Sequence, residues 1–217
     1  MSLPETDAVG TTTAAHAKSR PQAAPSPLDG DPSLIGVPTF IVGSIALGLT
    51  LVGYVPAGTA GAPLAVILAA TALGQLIAAV WAAALGQSAV AAIFGVFTGF
   101  WLSYAVLVLG LLHGWFGITA DTATRSQALF LISWLATIVL LTVSTLRLPA
   151  AFTVLFTLID LALALVLSAT LDGSVTLQKA GGYTVFAFVA VGFYLFVHVT
   201  SLATGGRGLP LGRPAVG

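Results

Sequence analysis

Residues 34–203 are an almost unbroken succession of apolar side chains, divided by short breaks into six runs. The runs cover residues 34–52, 64–85, 89–112, 128–146, 149–171 and 181–203. Each is about 20 residues long, which is what an α-helix needs to cross a hydrocarbon core of about 30 Å. Connections this short make successive helices antiparallel neighbours. The pattern predicts an all-α membrane protein, a six-transmembrane-helix bundle.

The composition excludes several other classes of protein. Of the 217 residues, 58% are hydrophobic and 6% are charged, whereas soluble domains carry about 25% charged residues. Seven basic and seven acidic residues cancel, and without a basic patch no nucleic-acid partner is expected. The absence of cysteine excludes disulfides, thiolate catalysis and Cys-ligated metals. No catalytic triad, P-loop, dinucleotide fingerprint or zinc motif is found, so we expect neither an enzyme nor a cofactor.

The chain is expected to comprise a disordered cytoplasmic tail over residues 1–30, a transmembrane domain over 31–204 and a cytoplasmic tail over 205–217. Residues 1–30 lack the apolar core of a signal peptide. With the N-terminus inside, the inner segments hold five basic residues, Lys18, Arg20, Arg147, Arg207 and Arg213. The outer loops hold two, Arg125 and Lys179. This excess predicts a multi-pass cell-membrane protein with both termini in the cytoplasm.

The start of the first span is unusual for a helix. Pro32, Gly36 and Pro38 fall within residues 31–40, and proline and glycine are poor residues for a helix interior. We expect them to break or kink the helix and to leave backbone N–H groups free for a polar solute.

Two polar residues lie in the middle of spans. Asp160 is expected to take up a proton rather than stay charged, because no basic residue lies centrally in a span. It is either a proton-linked or pathway-lining acid, or a structural acid hydrogen-bonded to Thr or Ser across a helix interface. Gln75 offers donors and acceptors either to a solute or to a neighbouring helix.

Aromatic and small residues follow helical spacing. Phe94, Phe97, Trp101 and Tyr104 are separated by 3, 4 and 3 residues and therefore share one helix face, which either packs in the ordinary way or narrows a pore. The pairs Gly95/Gly99 and Ser44/Gly48 have the small-x-x-x-small spacing that lets helix backbones approach closely in lipid.

Several of these motifs fall in the order typical of one family. Asp31-Pro32-Ser33-Leu34-Ile35-Gly36-Val37 resembles the Asn-Pro-Ala-Pro-Leu-Gly-Leu signature of the acetate uptake transporter family, whose bacterial members include succinate–acetate permeases. Phe40, Gln75, the third-span motif ending in Phe-Trp-Leu and the tail motif Leu-Pro-Leu-Gly ending at Gly212 also match. Asp31 and Leu34 depart from the signature. Phe97, Ile159 and Asp160 stand where bacterial permeases carry Tyr, Leu and Thr.

The resemblance implies a six-helix protomer with its own pore, assembled in the lipid membrane as a homo-hexamer. It implies that the substrate is a small carboxylate such as acetate or succinate, carried with protons or as the neutral acid. Residues 31–37 and Gln75 would bind the substrate, Phe40, Phe97 and Ile159 would form the constriction, and Asp160 is the candidate for proton linkage.

Elementary energetics agrees with a neutral or proton-coupled species. Protonating a carboxylate whose acid has a pKa of about 4.3 costs about 3.7 kcal/mol at pH 7. Removing the water around an unpaired ion costs several kcal/mol. Two alternatives stay open: a channel for a small neutral solute such as urea or a short amide, and a non-transporting sensor or assembly protein.

Overall fold

Six long helices make up the fold. The computed structural model describes residues 29–59 and 61–216, so the predicted N-terminal tail lies almost wholly outside the described residues. The helices are α1 (Ser33–Leu51), α2 (Leu64–Ala84), α3 (Ser88–His113), α4 (Ala123–Thr145), α5 (Ala150–Asp172) and α6 (Val175–Ala203). All six are long and apolar enough to cross a membrane, and the described residues contain no β-strand. The prediction of a six-helix membrane protein is therefore confirmed.

Two helices begin earlier than the hydropathy pattern indicates. α4 begins at Ala123 rather than at residue 128, and α6 begins at Val175 rather than at residue 181. Arg125 and Lys179, which were expected in loops, therefore lie on helices. α6 extends in the N-terminal direction beyond its apolar stretch because Ser174 caps it. The hydroxyl of Ser174 accepts a hydrogen bond from the Leu177 N–H at 3.3 Å.

The helices pack as neighbours around a central space. α6 packs against α1 and α5, α4 packs against α5, and α2 packs against α3 and α1. α3 and α4 make fewer contacts with each other than the other sequential pairs do. Large apolar side chains from all six helices fill the middle of the bundle. Between α3 and α4 this packing leaves room for a cavity.

Small residues allow close contacts between helices. This was predicted for Ser44, Gly48, Gly95 and Gly99, and it holds for all of them except Gly95. Ser44 is fully buried, and a Cβ on Gly48 would lie 3.0 Å from Phe186 of α6. A Cβ on Gly99 would lie 3.1 Å from Trp134 of α4. Gly95 differs, because a Cβ there would have no neighbour within 4 Å. This residue faces away from the described protomer.

One turn of α2 departs from α-helical geometry. Residues Ile67–Ala72 form a π-helical segment, which the sequence did not predict. Such insertions shift the side chains that follow relative to the preceding turn. Immediately after the segment, Gly74 lies against Thr39, and Gln75 reaches the backbone of α1.

The C-terminal tail folds back on the bundle. The Tyr194 hydroxyl donates to the Pro210 carbonyl at 2.7 Å, and a ring nitrogen of His198 lies 2.9 Å from the Leu209 carbonyl. Further on, the Leu211 carbonyl accepts from the Ala151 N–H at 2.9 Å. The tail therefore crosses from the end of α6 to the start of α5.

Candidate functional site

A cavity of about 390 Å³ lies inside the bundle, bounded by α1, α3, α4, α5 and α6. At one end of the cavity the last lining residues are Phe40 in α1, Phe97 in α3, Ile159 in α5 and Phe188 in α6, which lie at the same depth in the bundle. We refer to these four residues as the closed end. In the other direction the cavity extends to exposed residues at the helix ends, Leu112, Thr124 and Gln178. None of the described residues that line it is charged.

Aromatic rings in mutual contact form the closed end. Phe40 and Phe97 meet edge to face with ring centroids 4.9 Å apart, and Phe188 lies 5.7 Å from Phe40. Phe156 supports Phe97 from behind at 5.8 Å. Ile159 is 5% exposed at the same level. The structure thus brings together Phe40, Phe97 and Ile159, which the sequence motifs singled out from three different helices.

The aromatic face of α3 lines the cavity along most of its length. Phe97, Trp101 and Tyr104 all contribute to the lining, as their helical spacing predicts. Phe94 lies beyond the closed end, and a Cβ on Gly36 would lie 2.3 Å from its ring. Close approach of α1 and α3 therefore depends on the missing side chain at residue 36.

The start of α1 is a continuous helix, and its first N–H groups are all used. The Ser33 N–H donates to the Asp31 carboxylate at 2.8 Å. The N–H groups of Leu34, Ile35 and Gly36 donate to the carbonyls of Asp31 and Pro32. The prediction of a broken helix with free N–H groups at this point is wrong, because the carboxylate and carbonyl groups of Asp31 and Pro32 accept from these N–H groups and Pro38 lies within the helix. Residues 31–37 lie beyond the closed end and do not line the cavity.

Gln75 connects α2 to the same part of α1. Its side-chain N–H₂ donates to the Gly36 carbonyl and to the Thr39 hydroxyl, the latter at 3.2 Å. The side chain is fully buried, and its carbonyl oxygen has no partner among the described residues. Of the two roles that the sequence left open, the contact with a neighbouring helix is present.

Asp160 lies next to Ile159 in sequence but turns away from the cavity. One carboxylate oxygen accepts from the Thr142 hydroxyl of α4 at 2.7 Å, and the other is buried without a partner among the described residues. The same Thr142 hydroxyl lies 2.9 Å from the Ile138 carbonyl, so its single proton is shared between the two acceptors. The arrangement is the inter-helix hydrogen bond that the structural alternative predicted.

Some contributors to the site gave no recognisable sequence signal. Phe156 and Phe188 occur in uniformly apolar helices, where periodicity does not distinguish a cavity-facing ring from a lipid-facing one. Gln127 and Gln178 line the outer part of the cavity only because α4 and α6 begin earlier than predicted.

A six-helix membrane bundle that encloses an uncharged cavity, closed at one end by packed aromatic rings, has the architecture of a channel or transporter. Residues 14–205 match the family model described as the GPR1/FUN34/yaaH family, and the chain belongs to that family. The match confirms the resemblance to the acetate uptake transporters.

Two known proteins are similar to parts of the chain. The meiotically up-regulated gene 86 protein of Schizosaccharomyces pombe is 32% identical over 129 residues, which are 54% of this chain and 41% of that protein. The chain thus spans less than half of that relative's length. The structure of the bacterial acetate channel SatP matches with a TM-score of 0.73 and 21% identity, covering 84% of this chain and 99% of that chain. This second likeness establishes the fold.

Proposed function

We propose that the protein is a channel or transporter for small monocarboxylates such as acetate, with succinate as a further candidate substrate. The observation that carries the proposal is the uncharged cavity that ends at Phe40, Phe97 and Ile159. Membership of the family and the fold shared with an acetate channel support it.

The chemistry of the cavity favours a neutral or proton-accompanied substrate. Among the described residues no Lys, Arg or His lines it, so a carboxylate inside would have no cation from these residues with which to pair. Removing an unpaired ion from water is costly. Passage as the protonated acid, or as an anion with a proton, avoids most of that cost.

In this proposal Phe40, Phe97 and Ile159 form the constriction, with one pore in each protomer. Residues 31–37 and Gln75 form the substrate-binding approach on the far side of the constriction. Since the N–H groups at the start of α1 are already bonded, the substrate contacts there would come from side chains.

Asp160 is the proposed proton-linked group. Asp160 follows the proposed constriction residue Ile159 in sequence, and one of its carboxylate oxygens has no partner among the described residues. Acting from the α4–α5 contact rather than from the cavity, it would influence transport through the position of α5. Around it, α4 supplies the Thr142 hydroxyl and no ionisable side chain.

We further propose a cell-membrane location with both termini in the cytoplasm and assembly as a homo-hexamer. The five-to-two distribution of basic residues supports the orientation. Arg125 and Lys179 lie on helices rather than in loops. Because each is near the start of its helix, we still count both on the proposed outer side of the membrane.

Uptake into proteoliposomes tests the function. Radiolabelled acetate and urea are offered separately at pH 7.5 to vesicles with and without the protein, because undissociated acetic acid also crosses bare lipid. We expect protein-dependent uptake of acetate that exceeds that of urea. Protein-dependent uptake of urea without acetate would instead establish the second candidate, which the same uncharged lining favours. No protein-dependent flux of either solute would remove both.

A further inference from the structure

The cavity is much larger than acetate requires. Its volume is about 390 Å³, and pockets of about 300–1,000 Å³ hold drug-sized ligands. Its lining runs along α1 from Phe40 to Leu51 and along α5 from Ile159 to Thr170. At the helical rise of about 1.5 Å per residue, each of these stretches is about 16 Å long. Acetate, with a single methyl group beside its carboxyl group, fills only a small part of this space.

The outer end of the cavity is polar. The polar side chains there all lie close to a helix end, and they are Thr50, Thr124, Gln127, Thr170 and Gln178. Thr124 and Gln178 are exposed. We refer to these five residues as the mouth. A charged or polar group of a ligand can therefore stay at the mouth in contact with water.

The depth of the cavity is lined by hydrocarbon. Phe100 and Leu163 line it beside the rings of the closed end. The indole N–H of Trp101 is buried and does not reach the cavity, and the Tyr104 hydroxyl belongs to a residue one turn closer to the mouth. Water in such a place finds few partners, because a buried water needs about three hydrogen bonds. An apolar chain that replaces such water gains affinity.

The charges around the mouth are balanced. The charged residues nearest to it in sequence are two cations and two anions, all four exposed: Asp121, Arg125, Asp172 and Lys179. A carboxylate at the mouth is therefore hydrated and is not repelled by an excess of acid groups. Moved deeper, it would lose its water without gaining a cation among the lining residues. An ionised acid with a longer chain is thus held in one orientation, with its carboxylate at the mouth.

We propose that the cavity binds medium-chain monocarboxylic acids such as hexanoate and octanoate, with the ionised carboxyl group at the mouth and the hydrocarbon chain along the aromatic depth. The class of ligand rests on the proposed function, and the inference adds to that function a class of competitive inhibitor. While the chain occupies the space in front of Phe40 and Phe97, acetate does not reach the constriction.

Inhibition of acetate uptake tests the site. Butyrate, hexanoate and octanoate are added to proteoliposomes at pH 7.5, at concentrations that leave protein-free vesicles tight to a trapped dye. Burying each further methylene group is expected to lower the inhibition constant about fourfold. Inhibition constants that do not fall with chain length would overturn the site.

A variant that shortens the cavity is expected to remove this dependence. Ala162 lines the cavity about one turn from Ile159 and is 4% exposed. In Ala162→Leu we expect octanoate to inhibit less than twofold more strongly than hexanoate. Ala136→Leu makes the same change at an exposed position of α4 that does not line the cavity, and it should keep the full dependence. The ratio is taken within one variant, so it does not depend on how much of that variant folds.

Photolabelling the unaltered protein locates the ligand directly. Octanoic acid with a diazirine at its terminal carbon is expected to label residues of the deep lining such as Phe97, Phe100 and Leu163, and excess octanoate should prevent this labelling. Labelling confined to exposed residues such as Leu140 and Phe193 would place the acid in the lipid and overturn the site. If acetate is taken up and octanoate neither inhibits uptake nor labels the lining, the site falls and the function stands. If the lining is labelled without any acetate uptake, the site stands and the proposed function fails.

Discussion

At residue 36, α1 lies so close to α3 that only a hydrogen atom fits between the backbone and the facing ring. A Cβ there would lie 2.3 Å from Phe94, much closer than carbon atoms approach without repulsion. The same residue presents its carbonyl to Gln75. One glycine thus fixes the distances among α1, α2 and α3 beside the proposed constriction.

Gly36→Ala is expected to destabilise the protein by about 1–3 kcal/mol, since the added methyl group forces Phe94 to move. Ser133→Thr is the matched control, because it also adds one methyl group to a helix but at an exposed position; we expect it to change stability by less than about 0.5 kcal/mol. Thermal unfolding in detergent, followed by circular dichroism, measures both. Equal melting temperatures for the two variants would contradict the tight contact at residue 36.

Phe97→Ala is expected to relax size selectivity, because it removes one of the two rings that meet at 4.9 Å. We expect butyrate uptake relative to acetate to rise by about tenfold. Truncating a buried phenylalanine costs about 3–5 kcal/mol, so Phe97→Leu serves as a milder second variant. Phe193→Ala, on a ring that is 49% exposed on α6, should leave the ratio unchanged. Unaltered selectivity in both Phe97 variants would place the constriction elsewhere.

Asp160→Asn is expected to keep an acceptor for the Thr142 hydroxyl while removing titration. If Asp160 is proton-linked, the pH dependence of acetate uptake flattens in this variant. Thr142→Val, which removes the hydroxyl and leaves the acid, should shift the profile without flattening it. An unchanged rate and pH profile in Asp160→Asn would leave Asp160 as a structural acid, with any proton supplied by the substrate itself.

Among the elements, the connection between α3 and α4 is held by its own polar side chains. The Thr119 hydroxyl donates to the Asp121 carboxylate at 2.6 Å, and the Thr119 N–H donates to the Thr122 hydroxyl at 2.9 Å. These bonds precede the first turn of α4 directly. Because α4 contributes to the outer part of the cavity, the order of this connection helps to position Thr124 and Gln127.

Acidification is expected to loosen this connection. The hydrogen bond from Thr119 lowers the pKa of Asp121 below its usual value of 3.8. A pKa that is lower in the folded state means that the stabilisation is present above pH 4 and is lost as the pH falls through the lowered value. NMR shifts of the amides of residues 119–122 should therefore change below pH 4. Asp121→Asn should abolish that titration, and its persistence in the variant would assign it to another group.

For the molecule as a whole, the outer surface is as informative as the cavity. Large apolar side chains are exposed on every helix, among them Leu73, Leu129, Leu140, Leu161 and Phe193. In a membrane this surface contacts lipid or other protomers. Gly95, without a neighbour inside the protomer, offers the flat surface that favours close helix contact between copies.

Native mass spectrometry in detergent is expected to show a homo-hexamer. Gly95→Leu places a large side chain on the proposed contact and should weaken the assembly. Ala136→Leu, which adds the same side chain at an exposed position of α4, is the control and should leave the assembly unchanged. A monomer that still carries acetate would remove the hexamer and leave the one-pore protomer intact.

The sequence by itself determined the number of helices, the membrane setting and the three residues that meet at the closed end. Runs of about 20 apolar residues have few alternatives in lipid, because every backbone group must be bonded within the span. The resemblance also assigned Phe40, Phe97 and Ile159 to the family's constriction positions, although Phe97 and Ile159 differ from the Tyr and Leu of the bacterial permeases. These features depend on local sequence and on resemblance, so no tertiary contact was needed to infer them.

Only the tertiary structure decided how the polar groups are used. The sequence could not indicate that the Asp31 carboxylate accepts from the Ser33 N–H, that Gln75 binds the Gly36 carbonyl, or that Asp160 faces Thr142 rather than the cavity. It also could not reveal that the Trp101 N–H has no partner among the described residues. In a uniformly apolar chain the hydropathy pattern gives little information about which way each helix face turns, and the partner of a buried polar group depends on that rotation.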